Sequence, residues 1–345
     1  MTFMEKEINE QPDVLALLLD KSLSKAEELC KEIKKRNINF VYIAGRGTSD
    51  NAGVYIKYIL ETYAKMPVAL AAPSVITLYH GKPDLKDCLV IGISQSGEAL
   101  DVLEVIKLAN EQGAVTLSIT NYDESPLAKL AAYHFNCFAG EEKSVAATKT
   151  FTSEMFIGAI ITAALSDNDE LTRWIHEIPG KAKKYISEYV IDINAVNSLK
   201  DENECFVMAR GMNYPIALEA SLKIQETCYV RARAYSLSDF YHGPFAMLQD
   251  QTNVIMIAPE GESINDTLDM VQKLNAVGCK VISFTNNKMI KDCSTHNIEI
   301  YNDMNDFESP IINAIAIQRF ALKLSLAKGL DPDHPRNLRK VTLTK

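Results

Sequence analysis

Apolar residues along this chain gather into short unbroken runs, separated by longer stretches in which they recur every three or four positions. FVYIAG, CLVIGIS and AVTLSIT mark the first half; CFVMARG, NVIMIAP and KVISFTN mark the second. An unbroken apolar run predicts a strand covered on both faces, and amphipathic stretches between such runs predict the covering helices. The pattern is that of an α/β protein built on parallel sheets flanked by helices.

The runs also repeat. Arg46-Gly47 and Arg210-Gly211, 164 positions apart, each precede a helical stretch. Val90 to Ile93 aligns with Val254 to Ile257 at the same spacing, as does Gly97-Glu98 with Gly261-Glu262. Thr120-Asn121 aligns with Thr285-Asn286 at 165. A period this long marks a duplicated domain, not a solenoid. The expected layout is a helical segment over 1–30, a first domain over 31–168, a helical connector over 169–196, a second domain over 197–330 and a tail over 331–345. PIINAIAIQRFALKLSLAKG reads as a closing helix stopped by Gly329. The tail LDPDHPRNLRKVTLTK carries two prolines and reads as non-helical.

The copies diverge where chemistry would sit. In a parallel sheet, ligands bind beyond the carboxyl ends of the strands, at helix N-termini. The first copy is hydroxyl-rich at two such places: GRGTSDN, with Gly47, Thr48 and Ser49, and SQSGE, with Ser94, Gln95 and Ser96. Hydroxyls and backbone N–H groups at a positive helix end suit an anion, here a phosphate ester. Taken singly, either stretch reads first as helix capping; two on neighbouring strand ends, both missing from the second copy, turn the reading to an anion site. The second copy has Met212 opposite Thr48, and Ala258-Pro259-Glu260 opposite Ser94-Gln95-Ser96. What it has instead is YPIALEASLKIQETCY, which puts Glu219, Lys223 and Glu226 on one helix face, and DFYHGPFAM, which puts His242 before a Gly-Pro turn. Glu219 and Lys223 read either as a surface ion pair or as part of a site. A carboxylate and a histidine serving a phosphate cradle suit proton transfer next to a carbonyl.

Composition narrows the partners. The 345 residues suffice for two cores, and 47% hydrophobic with 23% charged residues reads as globular. A formal net charge of -9 argues against nucleic acid and anionic membranes, but leaves a small anionic ligand open. No uninterrupted apolar stretch reaches the roughly 20 residues of a membrane helix, and MTFMEKEINEQ lacks a signal peptide's apolar core. Seven cysteines without a C-x-x-C pair read as reduced thiols, so the expectation is a cytoplasmic protein. Asp50 stands where a dinucleotide fingerprint needs its third glycine, and no nucleotide P-loop occurs. No histidine pair has metal-ligand spacing, and no cofactor is expected.

The ordered set GRGTSDN, ISQSGE, VAATKTFT, ALEASLKIQE, YHGP and DPDHPRNLRKVTL resembles the sugar isomerase (SIS) family, in particular the isomerase half of glucosamine-6-phosphate synthases and the related deaminases. The resemblance implies two tandem flavodoxin-like domains in a homodimer with shared active sites. It assigns Ser49, Ser94, Gln95 and Ser96 to a hexose 6-phosphate and Val145 to the sugar. Glu226 becomes the base between C1 and C2, His242 the ring-opening group supplied by a neighbouring subunit, and Lys340 a lysine closing over substrate. Glu219 and Lys223 support the helix face. This chain departs from the synthases at Arg46, Ala99, Ala147, Tyr241 and Arg339, and, with its first cysteine at Cys30, no glutaminase domain is expected. The implied activity is conversion of glucosamine 6-phosphate to fructose 6-phosphate and ammonia without glutamine. Deglycation of fructosamine 6-phosphates is the alternative, and a non-catalytic sugar-phosphate sensor is a third.

Overall fold

The computed structural model describes residues 1–340, and in it all six apolar runs are strands. The first half comprises α1 (Phe3–Lys35), β1 (Phe40–Ala44), α2 (Thr48–Ile59), β2 (Val68–Leu70), α3 (Ser74–Thr77), β3 (Cys88–Ile93), α4 (Leu100–Glu111), β4 (Val115–Thr120), α5 (Pro126–Leu130), β5 (Tyr133–Asn136) and α6 (Lys149–Leu165). Helices α7 (Asp169–Glu188) and α8 (Ile193–Ser198) follow. The second half comprises β6 (Glu204–Ala209), α9 (Tyr214–Cys228), β7 (Arg231–Ser236), α10 (Leu237–Tyr241), β8 (Asn253–Ile257), α11 (Ile264–Val277), β9 (Lys280–Thr285), α12 (Lys288–Cys293), β10 (His296–Glu299) and α13 (Pro310–Ala327).

The two sheets have one topology. Their strand orders are β2-β1-β3-β4-β5 and β7-β6-β8-β9-β10, with every neighbouring pair parallel. Counted within each half, both orders are 2-1-3-4-5, the flavodoxin-like arrangement, whose ligand crevice opens where the chain reverses direction across the sheet. In the first sheet that crevice lies between the ends of β1 and β3, which pair from Phe40↔Cys88 to Ala44↔Gly92. In the second it lies between β6 and β8. The inner strands β3, β4 and β8 are buried at every position, which is why their sequences do not alternate. Edge strands are paired on one side only and escape that demand. β7, RARAYS, leaves Arg231 and Arg233 exposed.

By internal contact the chain forms two compact units. One holds residues 10–142 and 149–179 with Arg339 and Lys340; the other holds 1–9, 143–148 and 180–338. In the first unit α6 packs on α2; in the second α13 packs on α9. Helix α13 is long and apolar enough to cross a membrane by length and composition, but 78% of it is buried inside the protein. The cysteines are free thiols, six of them buried. Burial pushes Cys205 up to about 12 and Cys228 up to about 11, so neither is a thiolate nucleophile near neutrality.

Candidate functional site

At the end of β1 the helix cap is Gly47, whose φ of 55° places it in the left-handed region and which has no side chain to cap α2. Thr48 and Ser49 therefore lie inside the first turn, and the capping reading of GRGTSDN does not hold. Thr48 is half-buried. Ser49 is buried, and its Oγ donates to Glu154 Oε1 on α6 at 2.9 Å. That bond uses the only hydroxyl proton Ser49 has, leaving it lone pairs and no side-chain donor for an anion.

The serines after β3 differ in this respect. Helix α4 starts at Leu100 behind Ala99, again without a side-chain cap. Ser94 Oγ accepts the Gly97 N–H at 3.1 Å, and Ser96 Oγ accepts the Glu98 N–H at 3.3 Å. Both hydroxyls shape the turn by accepting, so each keeps its proton for a ligand. Gln95 anchors the turn through its carbonyl, which accepts the Asn121 N–H at 3.0 Å. Gly97 has φ 68°, and a Cβ there would stand 2.2 Å from Ser125 Oγ, so the turn requires glycine. Arg46 reaches across from the end of β1 to form an ion pair with Asp101 in the first turn of α4. Burial holds the Asp50 carboxyl above its ordinary range, with Arg46 opposing.

Val145 sits on loop 143–148, in the unit of the second sheet. Its N–H lies 3.5 Å from the Asp333 carbonyl oxygen, and the neighbouring Lys143 and Ser144 N–H groups turn toward the Glu7 carboxylate. The Asp333 carboxylate in turn accepts the Phe3 and Met4 N–H groups at 2.7 and 2.8 Å, closing the N-terminus of α1.

On α9 the surface-ion-pair reading of Glu219 and Lys223 is overturned. Both side chains are only 1% exposed. Lys223 Nζ lies 3.4 Å from Glu219 Oε1 and hydrogen-bonds Glu226 Oε2, so one ammonium bridges two carboxylates on one helix face. Of the three, only Glu226 reaches solvent, with 21% of its side chain exposed. Such a carboxylate is oriented by its lysine yet open to a substrate proton. The equivalent face of the first copy, 164 positions earlier, carries Tyr55, Ile59 and Thr62.

His242 ends α10 and is exposed. Its N–H donates to the Asp239 carbonyl at 3.0 Å, and its ring makes no hydrogen bond among the described residues. The Gly-Pro turn thus fixes the backbone and not the imidazole. Lys340 is a quarter exposed, and its Nζ stands 2.8 Å from Oε2 of Glu142, whose side chain is fully buried. Thr150 donates to the same carboxylate from Oγ1 at 2.9 Å and from N at 3.3 Å. The tail beyond Lys340 lies outside the described residues.

Sequence reasoning missed Glu154 and Glu142, the buried partners of Ser49 and Lys340. Glu154 had a visible signal: it is the single acidic residue in the apolar run of α6, KTFTSEMFIGAIITAAL. Among the described residues no group of three His, Cys, Asp or Glu side chains is placed to hold a metal ion.

Compared with known proteins, the chain matches the SIS domain twice, over residues 34–164 and 198–328. It belongs to the SIS domain family. The two matches are offset by 164 residues, the period read from the apolar runs. This SIS protein is 31% identical over 355 residues to the isomerizing glutamine–fructose-6-phosphate aminotransferase of Bradyrhizobium diazoefficiens, covering 98% of the chain and 58% of that protein. It is 33% identical over 348 residues to the enzyme of the same name from Sulfolobus acidocaldarius, covering 98% of the chain and 56% of that protein. The chain thus spans less than two thirds of these relatives. Among solved structures, the C-terminal domain of glucosamine-fructose-6-phosphate aminotransferase from Francisella tularensis superposes with a TM-score of 0.84 at 29% identity, covering 97% of this chain and 98% of that one. A glucosamine-6-phosphate deaminase from Thermotoga maritima shares the fold, with a TM-score of 0.76 at 20% identity over 99% and 100% of the two chains.

Proposed function

We propose that this SIS protein is a phosphosugar isomerase that deaminates glucosamine 6-phosphate to fructose 6-phosphate and ammonia. The observation that carries this reading is the Glu226–Lys223–Glu219 row on α9, with Glu226 alone open to solvent. The kinship with isomerizing fructose-6-phosphate aminotransferases supports the substrate class.

In this account Ser94, Ser96 and the backbone of their turn hold the phosphate, remote from the reacting carbons, and so lend binding energy to positioning. His242, from a second copy of the chain in a homodimer, opens the sugar ring. Glu226 removes the proton from C2 of the open-chain aldehyde, and the electron pair moves through C1 to O1, giving an enolamine whose oxyanion a lysine stabilises. O1 takes a proton to give the enol, and as the nitrogen lone pair drives protonation at C1 and one N–H proton is lost, an imine forms at C2. Water adds to that imine and ammonia departs, leaving the ketone of fructose 6-phosphate.

The test is ammonia release from glucosamine 6-phosphate. Turnover by the native protein and a fall of about 100-fold or more in Glu226→Gln are expected. Turnover of a fructose-amino-acid 6-phosphate with glucosamine 6-phosphate inert would replace this reading with deglycation. Binding of hexose phosphates with no turnover of either would replace it with a sensor.

A further inference from the structure

The crevice of the second sheet, between β6 and β8, repeats the frame of the first but not its contents. In the first copy, Ala99 stands at the N-terminus of α4, and its N–H donates no hydrogen bond among the described residues. Ser263 holds the same place before α11, exactly one 164-residue period on in the sequence. Its N–H donates to Asp306 Oδ2 at 2.9 Å.

Asp306 is 7% exposed, and its second oxygen, Oδ1, is buried with no hydrogen-bond partner among the described residues. It is held in place by its own backbone carbonyl, which accepts from the buried Asn213 amide at 3.0 Å. Gly261, with φ 141°, makes the room: a Cβ there would stand 2.4 Å from Asp306 Oδ1. One period earlier the residue is Glu142, also buried and acidic. Its carboxylate is engaged by Thr150 and Lys340 instead.

A carboxylate at the positive end of a 14-residue helix is favourable in itself, and it excludes any second anion by repulsion. A helix cap alone would have no need to bury an unpartnered oxygen, which carries a desolvation cost. We propose that Asp306 is a built-in anion filling the ligand position of the second copy, so that each chain takes one phosphate ester rather than two. The inference rests on the proposed function only in placing a ligand phosphate at the first copy's turn.

The test removes the built-in anion in a background where the first site is disabled. Thermal stability of full-length Ser94→Ala/Ser96→Ala is compared with and without inorganic phosphate, with Asp306 intact and as Asp306→Ala. Phosphate is expected to raise the Tm of the Asp306→Ala protein by about 2–4 °C more than that of its Asp306 parent, as a newly opened site requires. Equal shifts overturn the inference. A phosphate shift already present in the parent speaks against the cradle alone, since the Asp306 effect is read as the increment above it. A crystal of the native protein grown in phosphate gives an arm independent of any variant folding. No anion at the Ser263 N–H is expected there, and an anion bound at that N–H overturns the inference.

Discussion

The turn from β3 to α4 and the turn from β8 to α11 are one structure built twice, each after an inner strand of a 2-1-3-4-5 sheet. The first offers two serine hydroxyl protons and the Ala99 N–H. The second offers none of these: Ala258, Pro259 and Glu260 replace the serines, and Asp306 takes the helix N–H. The inverse holds on the neighbouring helices. Helix α9 carries Glu219, Lys223 and Glu226, where the first copy has Tyr55, Ile59 and Thr62. Duplication supplied two equal frames, and on the proposed reading the side chains divide the work between them.

Swapping residues between the copies breaks that division. Lys223→Ile, which installs the first copy's residue at Ile59, removes the buried ammonium shared by Glu219 and Glu226. It is expected to cost about 3–5 kcal/mol of stability, read from urea unfolding. Removing the exposed Lys273, paired with Asp269 elsewhere in the same unit, should cost no more than about 1 kcal/mol. Ser96→Glu, which installs Glu260's residue in the proposed cradle, would put a carboxylate against a bound phosphate dianion. Affinity for a hexose 6-phosphate should fall by about 100-fold or more while the fold persists.

The smallest effect concerns a buried seam. Ser118 Oγ meets His134 Nδ1 at 3.0 Å between β4 and β5; in the second copy Ser283 Oγ meets Asn297 Oδ1 at 2.7 Å. Burial lowers the His134 pKa below its usual 6.5, with Asp123 opposing. The unfolded chain therefore takes up the proton first. Stability from the neutral ring is present above pH 6.5 and is lost as pH falls from there toward the folded-state value. His134→Asn, the second copy's solution, should reduce the drop in Tm between pH 7.5 and 5.5 by about 1–2 °C.

The sequence showed the inner strands and the duplication because strands covered on both faces must be apolar throughout. It did not show β2, β5, β7 and β10, since an edge strand such as RARAYS has no such constraint. Helical spacing put Glu219, Lys223 and Glu226 on one face, but their burial depends on α13 packing over α9, which local pattern does not encode. The serines of the proposed cradle were visible as residue types. That Ser49 spends its proton on Glu154 while Ser94 and Ser96 keep theirs was not, because hydroxyl direction is set by residues far along the chain. Asp306 lies 43 positions from Ser263 and carries no local signal.

Binding of fructose 6-phosphate by calorimetry tests the division of labour most directly, comparing native protein, Glu226→Gln and Ser94→Ala/Ser96→Ala. The account predicts that Glu226→Gln binds within about 3-fold of native, while the serine variant binds at least about 10-fold more weakly. Affinity lost in Glu226→Gln and retained in the serine variant would contradict it.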